Sequence, residues 1–355
     1  MKAAVLTSLN SNLEIFDLNI PELSKNQVLV KIKAAGVCGA QLNQKKGIKI
    51  KEEFLPCLMG HEGSGIVEKI GPGVEKVKPG DKVVMHWRKS SGVDSEFPKY
   101  QSKHGTVGSG LITTFSEFSV VSENRITKVN TDLDFSYLSL FGCAITTGMG
   151  VINNEINLSK NDSILIYGVG GVGLNIVIAA FLKQPKNIIA VDQSDVKLNK
   201  AKEFGANHLI NTKNTPNIRD EIINILGQYP KYNIETTGNI GLIKNSYELL
   251  EPGGTAVLVG QPKNNENLVF ENFVENFNNK TLLDTSGGDI NPDIEIQEYI
   301  DLYSNKNIKL ENLIYDYRGV KTKAPYNTSG WNSVYVAGKI IEKIGPILAI
   351  NNEEF

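Results

Sequence analysis

The stretch ILIYGVGGVGLN, residues 164–175, restricts the fold more than any other part of this chain. An apolar run enters it, Gly168, Gly170 and Gly173 stand in G-x-G-x-x-G spacing with Gly171 and Val172 between them, and a helix-like segment leaves it. Glycines in this order let a pyrophosphate approach the backbone at the positive end of a helix. Alone the pattern is weak. Here the β-rich run NIIAVD follows and ends in Asp192, 24 residues after Gly168, where a carboxylate can accept hydrogen bonds from an adenosine ribose. The same carboxylate repels a 2′-phosphate, and Gln193 and Ser194 bring no guanidinium to bind one, so NAD is expected rather than NADP. Lys197, on the next helix, reaches the same ribose or stays solvated. The competing reading is a glycine turn in an α/β domain that binds no nucleotide, with Asp192 as a cap.

Further short β-rich runs, HLINT, YNIETTG and GGTAVLVGQ, alternate with helical stretches such as SDVKLNKAKEFG. That alternation predicts a doubly wound parallel sheet. The first ~140 residues read differently, as short alternating strands broken at Gly or Pro (NQVLVKIKAAGV, GSGIVEKIGPGV, GDKVVMHW), which predicts a mostly antiparallel, barrel-like region. AITTGMGVINNEI is a helix-like run at the junction, SGGDINPDIEIQEYIDLYSN starts a late helix, and GPILAI resembles a strand returning to the first region. A length of 355 residues suits two domains.

A formal net charge of −2 argues against a nucleic-acid partner, whose affinity needs clustered Lys and Arg. No apolar run reaches membrane-spanning length, and MKAAVLTSLNSNLEIFDL lacks the apolar block of a signal peptide, so a cytoplasmic protein with no membrane partner is expected. Three cysteines, Cys38, Cys57 and Cys143, are too few and scattered for a disulfide framework.

Two of those cysteines have suggestive neighbours. Cys38 stands between glycines in AGVCGA, His61 and Glu62 lie in the glycine-rich CLMGHEGSG, and Cys143 follows a glycine in LFGCAITTG. Two thiolates and one imidazole would leave one coordination position open, the arrangement of a catalytic rather than a structural zinc. Each residue alone reads as well as a buried core side chain.

In combination these motifs resemble the medium-chain dehydrogenase/reductase superfamily, in its zinc-dependent alcohol dehydrogenase branch. AGVCG, GHEGSGIVEKIGPGV, KPGDKVV, GCAITTG, YGVGGVGL, VDQSDVKL, ETTGN and GGTAVLVGQP occur in the family's order across most of the chain. The resemblance implies an α/β protein with a GroES-like β-rich catalytic domain (1–148 and 287–355) into which a Rossmann NAD-binding domain (149–286) is inserted, the active site lying in the cleft between them. It implies that Cys38, His61 and Cys143 hold one zinc, with Glu62 approaching the metal when water or substrate leaves. Thr147 would lie against the nicotinamide, and Val259 and Gly260 would contact the cofactor. The activity implied is reversible hydride transfer between an alcohol, polyol or sugar-derived substrate and NAD⁺ in a homo-oligomer, a dimer or tetramer formed through the Rossmann sheet edge near TAVLVGQP and TLLDTSGG.

Four departures qualify this. Ala40 stands where many relatives carry a proton-relaying Ser or Thr. Gln41 replaces an Asp that commonly orients the zinc-bound histidine; its amide oxygen is expected to accept from the imidazole N–H. Residues 85–118 contain no cysteine, so the structural zinc of many relatives is expected to be absent and Cys57 is left as a buried thiol. Finally, 319–345 replaces an amphipathic helix, with Lys339 and Lys343 as weak candidates for contacting cofactor phosphates.

In the cysteine-free lobe Trp87 is expected either to line the substrate pocket or to pack. Arg88, Lys89, Lys99, Lys103 and His104 are expected to be solvated charges rather than a site for an anionic substrate. His208 reads as an ordinary residue at a strand start. Two rival functions remain: a zinc-free quinone- or enoyl-type reductase of the same fold, and an NAD-binding sensor with little turnover.

Overall fold

The computed structural model describes residues 1–313, except 49, 272, 277 and 307, together with the backbone at 336–337. The chain divides into two compact units, one made of Met1–Ala144 with the segment from Asn291 onward, the other of Ile145–Ile290. The expected terminal strand GPILAI and the candidates Lys339 and Lys343 lie outside the described residues.

In the first unit, β1 (Lys2–Leu6) pairs with β2 (Glu14–Asp17), and β3 (Gln27–Ala35) is followed by the short helix α1 (Gly39–Lys45). Then come β4 (Cys57–Leu58), β5 (Glu62–Ile70), β6 (Lys82–His86), the hairpin β7 (Tyr100–Ser102) and β8 (Gly105–Val107), β9 (Phe118–Ser122) and β10 (Ile126–Lys128). The main sheet runs β10–β6–β5–β3 and every named pairing in it is antiparallel. β9 and a two-residue strand at Val336–Ala337 both pair along β3.

Apolar residues alternate inward along these strands, so Val28, Val30, Ile32, Val67, Val83, Met85 and Ile126 form one core with Trp87 packed against its margin. A second cluster, around Phe16, Leu29, Tyr100 and Val120, lies beneath the hairpin and β1. Helix α2 (Phe135–Ser139) is capped by Asp134, which accepts from Ser136 N at 2.8 Å.

Helix α3 (Ala144–Gly150) continues into a π-helical turn at Val151–Glu155 and leads into the second unit. There β11 (Ser163–Tyr167), α4 (Gly171–Lys183), β12 (Asn187–Asp192), α5 (Asp195–Glu203), β13 (His208–Asn211), α6 (Ile218–Leu226), β14 (Tyr232–Glu235), α7 (Ile240–Glu248), β15 (Thr255–Leu258) and β16 (Thr281–Asp284) alternate. The sheet is parallel throughout in the order β13–β12–β11–β14–β15–β16. The order reverses direction between β11 and β14, the point where such sheets open a crevice at their carboxyl ends. SILIY and NIIAVD are near-continuous apolar runs because helices cover both faces of a parallel sheet. The late helix, α8 (Pro292–Asn305), belongs to the first unit: Lys76 Nζ meets Asp293 Oδ1 at 2.5 Å and Asn130 N donates to Gln297 Oε1 at 2.9 Å.

No single helix among the described residues is long and apolar enough to cross a membrane. His208, at the start of β13, meets Asn187 Oδ1 at 3.1 Å, as suits an ordinary residue of that strand.

One buried histidine carries a pH signature. His86 has no exposed surface, its ring nitrogens meet Arg88 O at 2.9 Å and Thr127 Oγ1 at 3.0 Å, and burial pushes its imidazole down to about 3. A folded-state pKa below the unfolded one costs nothing at neutral pH. As pH falls below the unfolded value of ~6.5, only the unfolded chain takes the proton, and stability declines until the folded value is reached. Urea denaturation of the wild type should therefore lose about 3 kcal/mol more between pH 6.5 and 4 than that of His86→Gln. Identical pH slopes for the two proteins would refute this.

Candidate metal and nucleotide sites

β3 ends at Ala35, and the chain turns through Gly36 to Cys38, which caps α1 with an extended backbone, φ −105° and ψ 156°. His61 immediately precedes β5 and Glu62 opens it; Cys143 ends the short turn before α3. The ligating atoms of Cys38, His61 and Cys143 all lie within 4.8 Å of one another. Tetrahedral zinc holds sulfur and nitrogen ligands ~3.4–3.8 Å apart, so the trio needs only a small contraction to bind it. His61 Nε2 is buried with no hydrogen-bond partner. Two soft cysteine sulfurs and an imidazole whose buried Nε2 has no hydrogen-bond partner fit a zinc ion.

Glu62, next to His61 in the chain, is fully buried. A Cβ on Gly36 would meet its Oε1 at 2.5 Å, and one on Gly142 would meet Met85 O at 2.3 Å and Glu62 Cβ at 2.9 Å. Glycine at 36 leaves room for the carboxylate, and glycine at 142 for the Met85 carbonyl and the Glu62 Cβ. Glu62 Oε2 accepts from Ala144 N at 3.4 Å, while Oε1 is buried without a partner.

The charges are unevenly shared. The hydrogen bond from Cys38 draws the Cys143 thiol well below the ordinary thiol range against the cost of burial, and nearby His61 and Arg88 add to the effect. Cys38 is held well above that range by the same bond, by burial, and by the negative charges of Cys143 and Glu62. Burial above all, and then the Cys143 charge, raises Glu62.

Arg88 corrects the sequence reading. It is not a solvated loop charge: it is 6% exposed, with its guanidinium 4.8 Å from the Trp87 ring centroid. Burial lowers its pKa, while Cys143, Glu62 and Glu295 favour its charged form. It is a buried cation beside the ligand set. Nothing in its neighbours VVMHW and KSS distinguishes it from the exposed Lys89, Lys99 and Lys103 in the same segment. His104 is exposed as expected, 4.7 Å from the Phe16 ring. Cys57 is the expected buried thiol, its pKa raised by burial to about 11.

Gln41 also differs from expectation. Its oxygen does not face the imidazole; Oε1 accepts from Cys38 N at 2.8 Å, and Nε2 lies 2.6 Å from His61 Nδ1.

In the second unit the glycine turn joins β11 to α4. Gly168 has φ +82°, and a Cβ on Gly173 would stand 2.0 Å from Gly168 O, so the turn closes only with glycine there. Asp192, at the end of β12, accepts from Val169 N and Ser194 N, each at 3.0 Å, and Lys197 Nζ approaches it to 3.7 Å. Gly168, Gly170, Gly171, Val172 and Gly173 thus share one end of the sheet with Asp192, Lys197 and the pair Val259–Gly260, whose N–H groups donate to Glu235 O at 2.8 and 2.9 Å. Thr147 is buried on α3.

Comparison with known proteins agrees with both units. Residues 24–131 match the alcohol dehydrogenase GroES-like domain and 171–305 the zinc-binding dehydrogenase domain. The S-(hydroxymethyl)glutathione dehydrogenase of Paracoccus denitrificans is 30% identical over 293 residues, covering 73% of this chain and 78% of that protein. Among solved structures, benzyl alcohol dehydrogenase from Acinetobacter calcoaceticus superposes with a TM-score of 0.82 at 26% identity, over 95% of this chain and 98% of its own. An alcohol dehydrogenase zinc-binding domain protein from Burkholderia ambifaria follows with 0.81 at 26% identity, over 89% and 92%.

A methyl group at Gly142 has nowhere to go between Met85 O and Glu62. Gly142→Ala should destabilise the protein by about 1–3 kcal/mol in urea denaturation. An unchanged midpoint would mean that the packing around Glu62 is looser than these distances imply.

Proposed function

This chain belongs to the zinc-dependent alcohol dehydrogenases of the medium-chain dehydrogenase/reductase superfamily, and on that premise we propose that it transfers hydride reversibly between the CH–OH group of a small alcohol or polyol and NAD⁺, using one catalytic zinc per chain. The observation that carries the proposal is the convergence of Cys38, His61 and Cys143, three ligands that leave a fourth position open. A zinc held there would polarise the alcohol oxygen and lower the cost of deprotonating it, and a bound nicotinamide would supply the hydride acceptor.

The chain's own residues divide the remaining work. Cys38, His61 and Cys143 would hold the metal, both cysteines as thiolates. Glu62, whose Oε1 is buried without a hydrogen-bond partner, would be the carboxylate able to approach the metal when water or substrate leaves. The Arg88 guanidinium offsets the negative charge that two thiolates and Glu62 bring into a buried site. Ala40 has no hydroxyl, so the proton from the alcohol leaves through water or another group. Trp87 packs at the barrel margin beneath Arg88, where it would also border the substrate.

The glycine turn and the N-terminus of α4 hold the pyrophosphate. Asp192 with Lys197 receives the adenosine ribose and disfavours a 2′-phosphate, which supports NAD over NADP. Thr147 lies against the nicotinamide, and Val259 and Gly260 contact the cofactor.

With no cysteine in 85–118, no second zinc is assigned. The exposed edge strand β16 is the surface through which copies of the chain pair into a dimer or tetramer, in the cytoplasm. The relatives named for S-(hydroxymethyl)glutathione and benzyl alcohol support an alcohol carbon as hydride donor. The retained trio weighs against a zinc-free quinone- or enoyl-type reductase.

NADH formation across a panel of alcohols and polyols tests this. The wild type should turn over at least one of them, and Cys143→Ala should lower kcat/KM by roughly 100-fold or more, beyond the effect of losing an outer partner of the metal. NADP⁺ should be used at least about 10-fold less well, a gap of ~1.4 kcal/mol that Asp192→Ser narrows. Full activity in Cys143→Ala would eliminate the metal mechanism. NAD⁺ binding without turnover of any substrate would favour the sensor reading.

A further inference from the structure

The amide of Gln41 has two neighbours that make incompatible demands on it. Gln41 is 1% exposed, so water does not arbitrate. On one side is the backbone N–H of Cys38, 2.8 Å from Oε1, which can only donate. On the other is His61 Nδ1, 2.6 Å from Nε2. Because the Cys38 N–H fixes the oxygen, the NH₂ group must face the imidazole, and an NH₂ group only donates. His61 Nδ1 is therefore an acceptor, and the proton of the neutral ring belongs on Nε2. That nitrogen is the buried one without a hydrogen-bond partner, facing the two sulfurs. A metal needs a lone pair there.

We propose that Gln41 is a positioning residue that holds His61 in the tautomer unable to ligate zinc, so that metal loading requires the imidazole proton to move from Nε2 to Nδ1 and the Gln41 amide to turn over. Once turned, Oε1 accepts from Nδ1–H, but the Cys38 N–H that opens α1 then faces an NH₂ group and loses its acceptor. The same residue thus stabilises the helix N-terminus in the metal-free protein and opposes the metal. A carboxylate at this position satisfies both neighbours at once, one oxygen for the Cys38 N–H and the other for Nδ1–H. The inference rests on the reading that Cys38, His61 and Cys143 hold zinc.

Two measurements on the full chain, stripped of metal, test it. In competition with a chromophoric chelator, Gln41→Glu should bind zinc about 10–100-fold more tightly than the wild type, the range by which outer partners of a ligating histidine change affinity. Nitrogen-15 NMR of labelled histidine, with the His61 signals assigned using His61→Asn, should show Nε2–H in the metal-free wild type. It should show Nδ1–H in metal-free Gln41→Glu and in the zinc-loaded wild type.

An Nδ1–H tautomer in the metal-free wild type overturns the proposal, and this result needs no variant to fold. Tighter zinc in Gln41→Glu with an unchanged tautomer overturns it too, since added negative charge accounts for that. Equal zinc affinities in the two proteins remove the role of Gln41 and leave the zinc reading standing. Failure of both proteins to bind zinc removes the zinc reading and this proposal with it.

Discussion

A fully buried carboxylate with one oxygen left without a hydrogen-bond partner constrains the arrangement of the first unit's functional end. Glu62 opens β5, is closed off from solvent, and has one oxygen with no partner. Leaving a polar group in that state costs free energy unless something else repays it. Its neighbours are arranged around the difficulty. Gly36 leaves room for its carboxylate and Gly142 for its Cβ and backbone, the buried Arg88 favours its charged form, and Cys38, His61 and Cys143 come together nearby. A divalent cation held by the trio would supply the missing positive charge. The buried carboxylate and the three clustered ligands are thus parts of one arrangement.

The second unit solves a different problem with the same economy of side chains. Its parallel sheet is buried on both faces, so only the loops at the strand ends are available for binding. There Gly168 and Gly173 touch so closely that no other residue closes the turn, and Asp192 is anchored by two backbone N–H groups rather than left to swing. A carboxylate fixed in this way presents its remaining lone pairs in one direction, which is what a ribose diol requires.

Much of this was legible in the amino-acid sequence because it rests on local, periodic or backbone constraints. Runs such as SILIY and NIIAVD declare buried parallel strands, and the glycine spacing between them declares a turn with a helix behind it. The trio was legible because cysteine and histidine beside glycine in three separate motifs share one chemistry. What escaped are properties of long-range placement. Arg88 lies in a polar, cysteine-free segment whose other cations are exposed, and only the approach of β6 to β5 and of α8 to the same end turns it inward. The orientation of the Gln41 amide depends on a competition between a backbone N–H three residues earlier and an imidazole twenty residues later, and residue type alone does not decide it. The π-helical turn after α3 left no mark on the apolar run AITTGMGVINNEI.

The account stands on a metal that the trio is built to hold. Elemental analysis of the purified protein, with the wild type and Cys143→Ala measured side by side, addresses it most directly. About one zinc per chain in the wild type, lost in the variant, is the expected result for a three-ligand site with a fourth position open. No zinc in the wild type, and none taken up when it is supplied, would contradict the account. Two zincs per chain would contradict its reading of the cysteine-free segment 85–118.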